Sequence, residues 1–526
     1  MDILAELEKG VKLQSHSQFE EADCVYNNII SFDPSIADAY NLLGLSAFQR
    51  DLFLTALPLF RKAIRLNNSR YDFYFNCAEC YRLTDDYDHA IEYYTKSQSL
   101  NENFLESIIN MSTCLIEKES FAEAYNHLQN ALKIDSESFL AHLNLAKTHL
   151  GQNQLSSALE HLNLCLELNP ENIDTLMLIV EVFLKQKKYR NIKKLCNGKR
   201  NLQHELIYNS LGLVAKIEKQ FDRAIKYFLK SLDINSDCHE AHNNLALCYK
   251  KQGNLDDAQK HLETACTLSP EDESLHYNLA GVYVLQGMKI KALESYRKVL
   301  TLDPDNSSVI HMINALSGED SQKAPQQYVE TLFDAYAETF ERDLIDTLQY
   351  KTPVQIADLI KKNFPNHTFE NYFDAGCGTG LCGEACKIFT RRRTGVDLSA
   401  KMLNKAELKS IYDSLIVGDV TYELSQHSIC FDLITAADVL IYIGALEPFF
   451  AASFQKLNSR GVLAFSVETC EEDFQLGESG RYAHSIDYVV EKAADFNFRV
   501  ISCTKENIRK NMGTWIEGAL FLFEKP

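Results

Sequence analysis

The chain has 526 residues, of which 46% are hydrophobic and 24% charged, and its formal net charge is −20. This length exceeds what one core usually serves, so two or more domains are expected. The acidic balance argues against nucleic acid as a partner, and no apolar run approaches the roughly 20 residues of a membrane span.

The start of the chain and its cysteines both predict a cytoplasmic protein. Residues 1–9 are charged and amphipathic and lack the apolar core of a signal peptide. The fifteen cysteines are scattered, many at helical core positions, as is typical of reduced thiols. Cys77 and Cys80 form a C-x-x-C without a second pair, so we interpret them as small buried residues and expect no metal site.

Internal repetition dominates residues 1–304. An alanine recurs every 34 residues, with one slip between two series: Ala22, Ala56, Ala90, Ala124 and Ala158, then Ala224, Ala258 and Ala292. A small residue stands twelve positions before most of these alanines, which lets two helices approach closely. The unit resembles the tetratricopeptide repeat. It predicts an all-α solenoid, a tetratricopeptide superhelix of nine hairpins, whose sixth is degenerate because Ile192 replaces the alanine.

An asparagine stands two positions before the small residue in five repeats. These residues are Asn76, Asn110, Asn144, Asn244 and Asn278. Packing does not explain the choice, because asparagine is only a middling helix former. A row of amides could bind an extended peptide on the concave face, as in similar asparagine ladders of tetratricopeptide domains, or it could brace neighbouring hairpins. The sequence favours neither alternative.

A basic run occupies residues 185–200 without a single acid. We interpret it as a solvated helix face, with the docking of an acidic partner as the alternative. Downstream, residues 305–316 are expected to form a capping helix, and residues 317–325 have the composition of a linker. An aromatic-rich amphipathic helix is predicted over residues 328–341.

The most informative motif is a glycine turn that follows a predicted strand at residues 372–374. Gly376, Gly378 and Gly380 let the backbone pass close to a bulky ligand. Asp397, at the end of the next strand, can accept hydrogen bonds from two ribose hydroxyls. The same region also fits the dinucleotide fingerprint, through Gly378, Gly380 and Gly383, so a dinucleotide enzyme is the competing interpretation.

Three features favour a nucleoside with a sulfonium group over a dinucleotide. Asp374 stands before the first glycine, where it could engage an ammonium group and would repel a pyrophosphate. Asp419 is placed to meet an adenine amino group, and the chain closes with a hairpin formed by residues 499–502 and 518–523. These residues resemble the class I S-adenosylmethionine-dependent methyltransferases, which implies an α/β Rossmann-like domain with a mostly parallel sheet over residues 326–526.

The resemblance also implies the residues that contact S-adenosyl-L-methionine. In many methyltransferases an aromatic from the helix before the first strand closes over the cofactor; Tyr336 is the first choice here and Tyr328 the second. The full expected set is Asp374, Gly376, Cys377, Gly378, Gly380, Asp397, Leu398, Met402, Asp419, Val420 and Tyr336.

The substrate side is expected after strands four and five. The segment 436–442 lacks the Asn-Pro-Pro-Tyr type of sequence, which argues against DNA or a glutamine amide as the target. Residues 479–485, read as a loop, bring together Arg481, Tyr482 and His484, with Asp438 facing them. His484 could act as base or be a hydrogen-bonded loop histidine. Arg481 could clamp a carboxylate or phosphate, or tie the loop to Asp473 or Glu478.

The segments 436–440, 465–469 and 480–485 resemble a family of predicted methyltransferases that carry tetratricopeptide repeats. This resemblance implies the fold and S-adenosyl-L-methionine as the cofactor, and it leaves the substrate open. The asparagine row favours a methyltransferase whose solenoid recruits a protein or peptide acceptor. A small-molecule methyltransferase that uses its repeats only for assembly is the alternative. A scaffold with a relic cofactor fold is the third possibility, and the intact Asp374, glycine and Asp397 set counts against it.

Overall fold

The computed structural model describes residues 1–199, 202–319, 321–337, 340–342, 349–511 and 514–526. The chain divides into two compact units, Met1–Ser236 and Asp237–Pro526. Arg200 of the basic run, Asp320 of the expected linker, and Glu338 and Thr339 of the expected amphipathic helix lie outside the described residues.

The first unit is entirely helical in its described residues. Its helices are α1 Ile3–Ser15, α2 Phe19–Phe32, α3 Ala37–Phe48, α4 Phe53–Leu66, α5 Tyr71–Leu83, α6 Tyr87–Leu100, α7 Leu105–Glu117, α8 Phe121–Ile134, α9 Phe139–Gly151, α10 Leu155–Leu168, α11 Ile173–Lys185, α12 Tyr189–Gly198, α13 Glu205–Ile217 and α14 Phe221–Ile234. Consecutive helices pack in pairs. The shortest second helix is α12, in the degenerate sixth repeat, where Ile192 is fully buried.

The small residues of the repeat allow close helix packing. The periodic alanines are fully buried. A Cβ at Gly44 would lie 2.7 Å from the ring of Phe60, and one at Gly212 would lie 2.5 Å from the ring of Phe228. Phe60 and Phe228 stand four residues after their alanines, so the small residue of one helix receives the aromatic ring of the next.

Each hairpin turns through one residue in the left-handed conformation. In the first unit these residues are Ser17, Asp51, Asp85, Glu119, Asn153, Lys187 and Lys219, and in the second unit they are Gly253 and Gly287. They recur every 34 residues except between Lys187 and Lys219, where the degenerate repeat is two residues short. Only two are glycine, the residue that adopts this conformation without strain.

The second unit begins with helices and continues into a sheet. Its helices before the sheet are α15 His239–Lys251, α16 Leu255–Leu268, α17 Glu273–Leu285, α18 Lys289–Leu302, α19 Ser307–Ser317, α20 Gln326–Tyr336, the single turn α21 Phe340–Arg342, and α22 Thr352–Asn363. α15 to α18 are two further repeat hairpins, and α19 packs on α18.

The sheet alternates with helices along the chain. The elements are β1 Phe369–Ala375, α23 Leu381–Cys386, β2 Thr390–Asp397, α24 Ala400–Leu408, β3 Ser414–Val417, α25 Val420–Gln426, β4 Phe431–Ala436, α26 Glu447–Lys456, β5 Leu457–Thr469, β6 Phe474–Leu476, β7 Tyr482–His484, α27 Ile486–Asp495, β8 Arg499–Asn511 and β9 Thr514–Glu524. Strands β3, β2, β1, β4 and β5 are parallel neighbours in that order, while β9 runs antiparallel to β5 and β8 antiparallel to β9. This is the mostly parallel α/β fold that the sequence predicts.

One hydrophobic core joins the last repeats to the sheet domain. Val299 on α18, Leu316 on α19 and Tyr328 on α20 are buried in the same cluster as Tyr442 and Tyr482 of the sheet domain. The His311 Nε2 lies 3.0 Å from the carbonyl oxygen of Gly480. Repeats eight and nine are therefore built into the sheet domain by side-chain packing.

The expected linker is packed in its described part. Backbone N–H groups of Gly444 and Ala445 donate to the carbonyl of Gln322, and the N–H of Ala324 donates to the carbonyl of Tyr442. Lys323 forms a single antiparallel bridge with Ile443. We call residues 321–325 the junction strand; its composition predicted a linker.

Among the described residues, no helix has the length and apolarity to cross a membrane. The part of the chain that the structure describes also holds no cluster of histidine, cysteine, aspartate or glutamate suited to a metal ion. Cys77 and Cys80 are both fully buried free thiols on α5, within one hydrophobic cluster.

Candidate active site

A cavity lies at the carboxyl ends of the parallel strands. The turns after β1, β2, β3 and β4 supply one part of its wall. The rest comes from α20, α21, the junction strand, β8 and the single residues Tyr350 and Arg481. Its lining residues are Lys323, Ala324, Gln326, Val329, Leu332, Phe333, Tyr336, Phe340, Tyr350, Gly376, Gly378, Asp397, Leu398, Asp419, Val420, Ala437, Asp438, Val439, Ile441, Tyr442, Ile443, Arg481 and Arg509. Ligands in open α/β sheets bind at this edge.

The glycine turn is left-handed at three positions. Gly376, Gly378 and Gly380 have φ values of 64°, 53° and 91°, which side chains with a Cβ rarely adopt. Gly378 faces the cavity, and an added Cβ there would meet only a Phe340 ring atom at 3.8 Å. The backbone at Gly378 is thus open to a ligand, whereas Gly380 does not line the cavity.

Asp397 ends β2 at the cavity wall and is held by two backbone donors. The N–H of Gly378 donates to its Oδ2 and the N–H of Ser399 donates to its Oδ1, each at 2.9 Å. Burial raises the pKa of Asp397, against the effect of these hydrogen bonds. Each carboxylate oxygen keeps acceptor capacity beyond one hydrogen bond, so the group is fixed and able to bind two hydroxyls.

Asp419 also lines the cavity, and its oxygens already have partners. Its Oδ1 accepts hydrogen bonds from the N–H groups of Thr421 and Tyr422, both at 3.1 Å, which caps α25. Its Oδ2 pairs with Lys323 of the junction strand. Although burial opposes ionisation, Lys323 keeps the pKa of Asp419 below its usual value. Lys323 and Asp419 therefore form a charged pair beside the expected adenine position.

Asp374 does not line the cavity, contrary to the expectation from sequence. Only 1% of its surface is exposed, and it accepts hydrogen bonds from Tyr412 at 2.6 Å and Thr435 at 2.9 Å. Burial raises its pKa to about 6 despite these donors. The buried carboxylate is engaged by these two hydroxyls, and this placement argues against direct contact with a ligand's ammonium group. The alternation of side chains along β1 turns it inward.

The other expected cofactor contacts divide into two groups. Leu398, Val420 and Tyr336 line the cavity, and Tyr336 is 45% exposed. Cys377 and Met402 are buried and lie outside the lining. Tyr328, the second-choice aromatic, is buried against His311 with ring centroids 4.8 Å apart, so it packs between α19 and α20 and does not line the cavity.

His484 and Tyr482 are likewise turned away from the cavity. Both lie on β7, which pairs with β5 and β6, where the sequence suggested a loop. His484 is fully buried, and its Nε2 lies 2.9 Å from the Gly444 carbonyl oxygen. Burial lowers its pKa to about 4. A role for His484 as a base in the cavity is thus not supported, and Tyr482, paired with Ser321, is structural.

Asp438 and Arg481 do line the cavity, together with Arg509 from β8. Ser466 donates to the Asp438 Oδ1 at 3.0 Å, and Arg509 donates to its Oδ2 at 3.0 Å. Arg509 also pairs with Glu468 and is 5% exposed. Arg481 contacts neither Asp473 nor Glu478 as an ion pair in the described structure; Glu478 pairs instead with Lys289.

Many lining residues were not among the expected site residues; Lys323, Phe333, Tyr350 and Arg509 are examples. Phe333 belongs to the aromatic helix that was recognised, so its spacing from Tyr336 could have revealed it. No local pattern indicates that Lys323 or Arg509 lines a site. Lys323 lies in the expected linker, and Arg509 is 71 residues after Asp438, the residue with which it pairs.

The asparagine row braces neighbouring helices. Asn76 donates to the Asn41 Oδ1 at 2.9 Å, Asn110 to the Glu79 Oε1 at 2.7 Å and Asn144 to the Thr113 Oγ1 at 3.0 Å. In the second unit, Asn278 donates to the Asn243 Oδ1 at 3.0 Å. Of the two interpretations that the sequence left open, the geometry of these four amides supports bracing; Asn244 belongs to the same register.

Comparison with known families agrees with this architecture. The sequence model of a methyltransferase domain matches residues 373–465. Models of the tetratricopeptide repeat match residues 71–104, 115–174, 203–271 and 237–305.

Individual relatives cover only parts of the chain. A BBSome complex member BBS4 homolog of Drosophila melanogaster is 30% identical over 81 residues, which are 15% of this chain and 17% of that protein. The structure of the APC/C hetero-tetramer Cut9–Hcn1 has 18% identity and a TM-score of 0.36, covering 59% of this chain and 55% of that one. The N-methyltransferase NodS of Bradyrhizobium japonicum, in complex with S-adenosyl-L-homocysteine, has 17% identity and a TM-score of 0.27, covering 33% of this chain and 86% of that one.

Proposed function

We propose that this chain, which joins tetratricopeptide repeats to a methyltransferase domain, transfers the methyl group of S-adenosyl-L-methionine to a protein or peptide acceptor. The observation that carries the cofactor assignment is the placement of Asp397. Its carboxylate is fixed by the N–H groups of Gly378 and Ser399 at the cavity wall, and the open Gly378 backbone beside it leaves room for a nucleoside.

The described residues at the cavity fit the parts of this cofactor. Asp397 would hold the ribose hydroxyls, Leu398 and Val420 would flank the adenine, and Tyr336 would cover the methionine end. When bound, the cofactor supplies an electrophilic methyl group on a sulfonium. The protein then contributes positioning, because in-line displacement needs the nucleophile about 3–3.5 Å from the methyl carbon.

Direct binding tests the cofactor assignment. We expect full-length protein to bind S-adenosyl-L-methionine in the micromolar range, on the order of −7 to −8 kcal/mol. Asp397→Ala should weaken binding by roughly 1–3 kcal/mol, since ribose hydroxyls lose their acceptor. Asp413→Ala, which removes a carboxylate outside the cavity, is the control. Calorimetry that gives an affinity for NAD and none for the sulfonium compound would refute the assignment.

Recruitment of the acceptor by the repeats is supported by their arrangement. Stacked repeats present extended surfaces suited to a polypeptide, and the last two share a core with Ile441 and Tyr442 of the cavity wall. The asparagines do not carry this proposal, because their amides brace the helices. The bound surface is thus assigned to the repeats as a whole.

Removal of the first unit tests whether the acceptor is a protein or a small molecule. A fragment of residues 237–526 keeps the cavity and its flanking helices. If the first unit recruits a protein, this fragment should show a raised KM for the protein acceptor with unchanged cofactor affinity. Equal KM values for the fragment and the full chain would favour the small-molecule alternative.

A further inference from the structure

The cavity wall holds two arginines in different electrostatic situations, Arg481 just before β7 and Arg509 on β8. Arg509 pairs with Asp438 and Glu468, and its side chain is 5% exposed. Arg481 lines the same cavity, but no described carboxylate lies within ion-pair distance of it. Arg509 thus engages the nearby carboxylates directly. The guanidinium of Arg481 has a hydrogen bond with Tyr442, and its five N–H donors leave others for a ligand.

Arg481 remains charged at neutral pH. Burial disfavours its charged form, but the surrounding Tyr442, Glu468 and Asp438 outweigh this effect and raise the pKa of Arg481 above its ordinary value. A half-buried guanidinium favours an anionic partner, because it presents several N–H donors in a planar fork that matches a carboxylate.

Every carboxylate that the structure describes on the cavity wall already has hydrogen-bond partners. Asp397, Asp419 and Asp438 are the carboxylates that line it, and each already accepts at least two hydrogen bonds. Burial raises the pKa of Tyr350 well above its ordinary value, so this phenol keeps its proton. No histidine is among the lining residues that the structure describes. An acceptor that must lose a proton would need one of these hydrogen-bonded carboxylates as its base, whereas a carboxylate acceptor is already deprotonated at neutral pH.

We propose that the acceptor group is a carboxylate held by Arg481, and that the product is a methyl ester. This inference rests on the proposed function. One carboxylate oxygen attacks the methyl carbon and forms the new C–O bond. The C–S bond breaks, and its electron pair returns to sulfur, which leaves as the neutral thioether of S-adenosyl-L-homocysteine. No proton is transferred, so the reaction needs positioning and no base.

The stability of the transferred label to alkali tests the inference. Full-length protein is incubated with S-adenosyl-L-methionine labelled in the methyl group and a lysate of the source cells as the acceptor pool. The products are then exposed to mild alkali, which hydrolyses methyl esters to methanol and leaves N-methyl and S-methyl products intact. We expect most of the transferred label to become volatile.

Variants of Arg481 test whether this residue holds the group that receives the labelled methyl. Arg481→Gln should reduce transfer by roughly 10- to 100-fold, since a charged hydrogen bond is lost, with cofactor Kd unchanged. Arg481→Lys should restore part of the loss, because an ammonium keeps the charge but not the two-pronged contact. Arg392→Gln, which removes an arginine whose side chain is 75% exposed on β2, is the control and should leave transfer unchanged.

The results that would overturn this inference can be told apart from those that would overturn the proposed function. Label that resists alkali overturns the carboxylate inference and leaves the proposed function standing. A loss of cofactor affinity in Arg481→Gln that equals its loss of transfer would mean that Arg481 holds the carboxylate of the cofactor, which also overturns the inference. Failure of the wild-type protein to bind the cofactor, or binding without any transfer, overturns both proposals.

Discussion

Two carboxylates at neighbouring strand ends, Asp374 and Asp397, have opposite surroundings. Asp374 is enclosed by Tyr412 and Thr435, and Asp397 lies at the cavity with backbone donors on one side. Both are single acids at the carboxyl end of a parallel strand, so their sequence contexts look alike. Their functions differ because β1 directs one side chain inward, while β2 ends with the other at the cavity.

His484 provides a test at the same scale. The ring of His484 is buried and its Nε2 contacts the Gly444 carbonyl. We expect His484→Ala to lower the thermal midpoint, because a buried carbonyl left without its partner costs about 1–3 kcal/mol. Turnover of the folded variant should not show the roughly 10²–10⁴-fold loss that follows removal of a general base. Methyl transfer assayed per folded molecule checks this. A large loss of turnover with unchanged stability would restore His484 as the base.

At the scale of single elements, the turns between paired helices carry residual strain. Glu119 adopts φ 57° although it has a Cβ, and Gly253 adopts φ 79° at the equivalent position with no atom near its missing Cβ. A left-handed residue other than glycine costs about 1–2 kcal/mol. We therefore expect Glu119→Gly to stabilise the fold by up to about 1 kcal/mol, and Gly253→Ala to destabilise it by about 1 kcal/mol.

Urea denaturation of each variant measures the change in the free energy of unfolding, which should have opposite signs for Glu119→Gly and Gly253→Ala. Glu119→Ala is the control, since it changes the side chain without releasing the backbone, and its midpoint should stay near that of the wild type. A lower midpoint for Glu119→Gly would show that contacts of the glutamate side chain outweigh the strain.

The helix pair α9 and α10 should respond to acid through a cluster of imidazoles. The Nδ1 atoms of His142 and His161 lie 3.0 Å apart, and His149 stacks on His161. Burial, followed by the neighbouring His142 and His149, lowers the pKa of His161 to about 4, against about 6.5 in an unfolded chain. Between these values the unfolded state binds more protons, so local stability should fall as the pH drops from about 6.5 to about 4.

Hydrogen exchange of the α9 and α10 amides at a series of pH values checks this window. His161→Asn should flatten the pH dependence by removing the group that titrates, while His16→Asn, at an exposed histidine, should leave it unchanged. Protection factors of the wild type that do not change between pH 7 and pH 5, after correction for intrinsic exchange, would contradict the prediction.

At the scale of the whole molecule, the boundary of the catalytic part lies earlier than the start of the sheet. The core that holds Tyr328, Tyr442 and Tyr482 also includes residues of α18 and α19. We expect a fragment of residues 326–526 to expose this apolar surface and to melt at a lower temperature than a fragment of residues 237–526. A fragment that starts at Asp305 and keeps α19 should lie between them.

Thermal unfolding and binding of a hydrophobic dye compare the three fragments. The shortest should bind the most dye before unfolding, since loss of the repeat helices leaves Ile441 and Tyr442 uncovered. Equal midpoints with low dye binding would mean that the sheet domain is stable without the repeats.

The sequence by itself determined the features that rest on local periodicity and backbone conformation. The 34-residue recurrence of alanine predicts the paired helices, because a small residue at the same position of each unit lets its two helices pack closely. The glycines at 376, 378 and 380 predict a turn whose backbone can approach a ligand, and Asp397 predicts a polar group at the end of β2. All of these depend on residues that are close along the chain.

Only the tertiary structure decided which polar side chains face the cavity. Arg509 reaches Asp438 from β8, and Lys323 reaches Asp419 from the junction strand. The partners in each pair are so far apart in sequence that no local pattern indicates the contact. His484 and Tyr482 are withdrawn from the cavity because β7 pairs with β5 and β6. The direction of a side chain at a strand end depends on which strands pair and in what register, and that pairing is set by contacts distant in sequence.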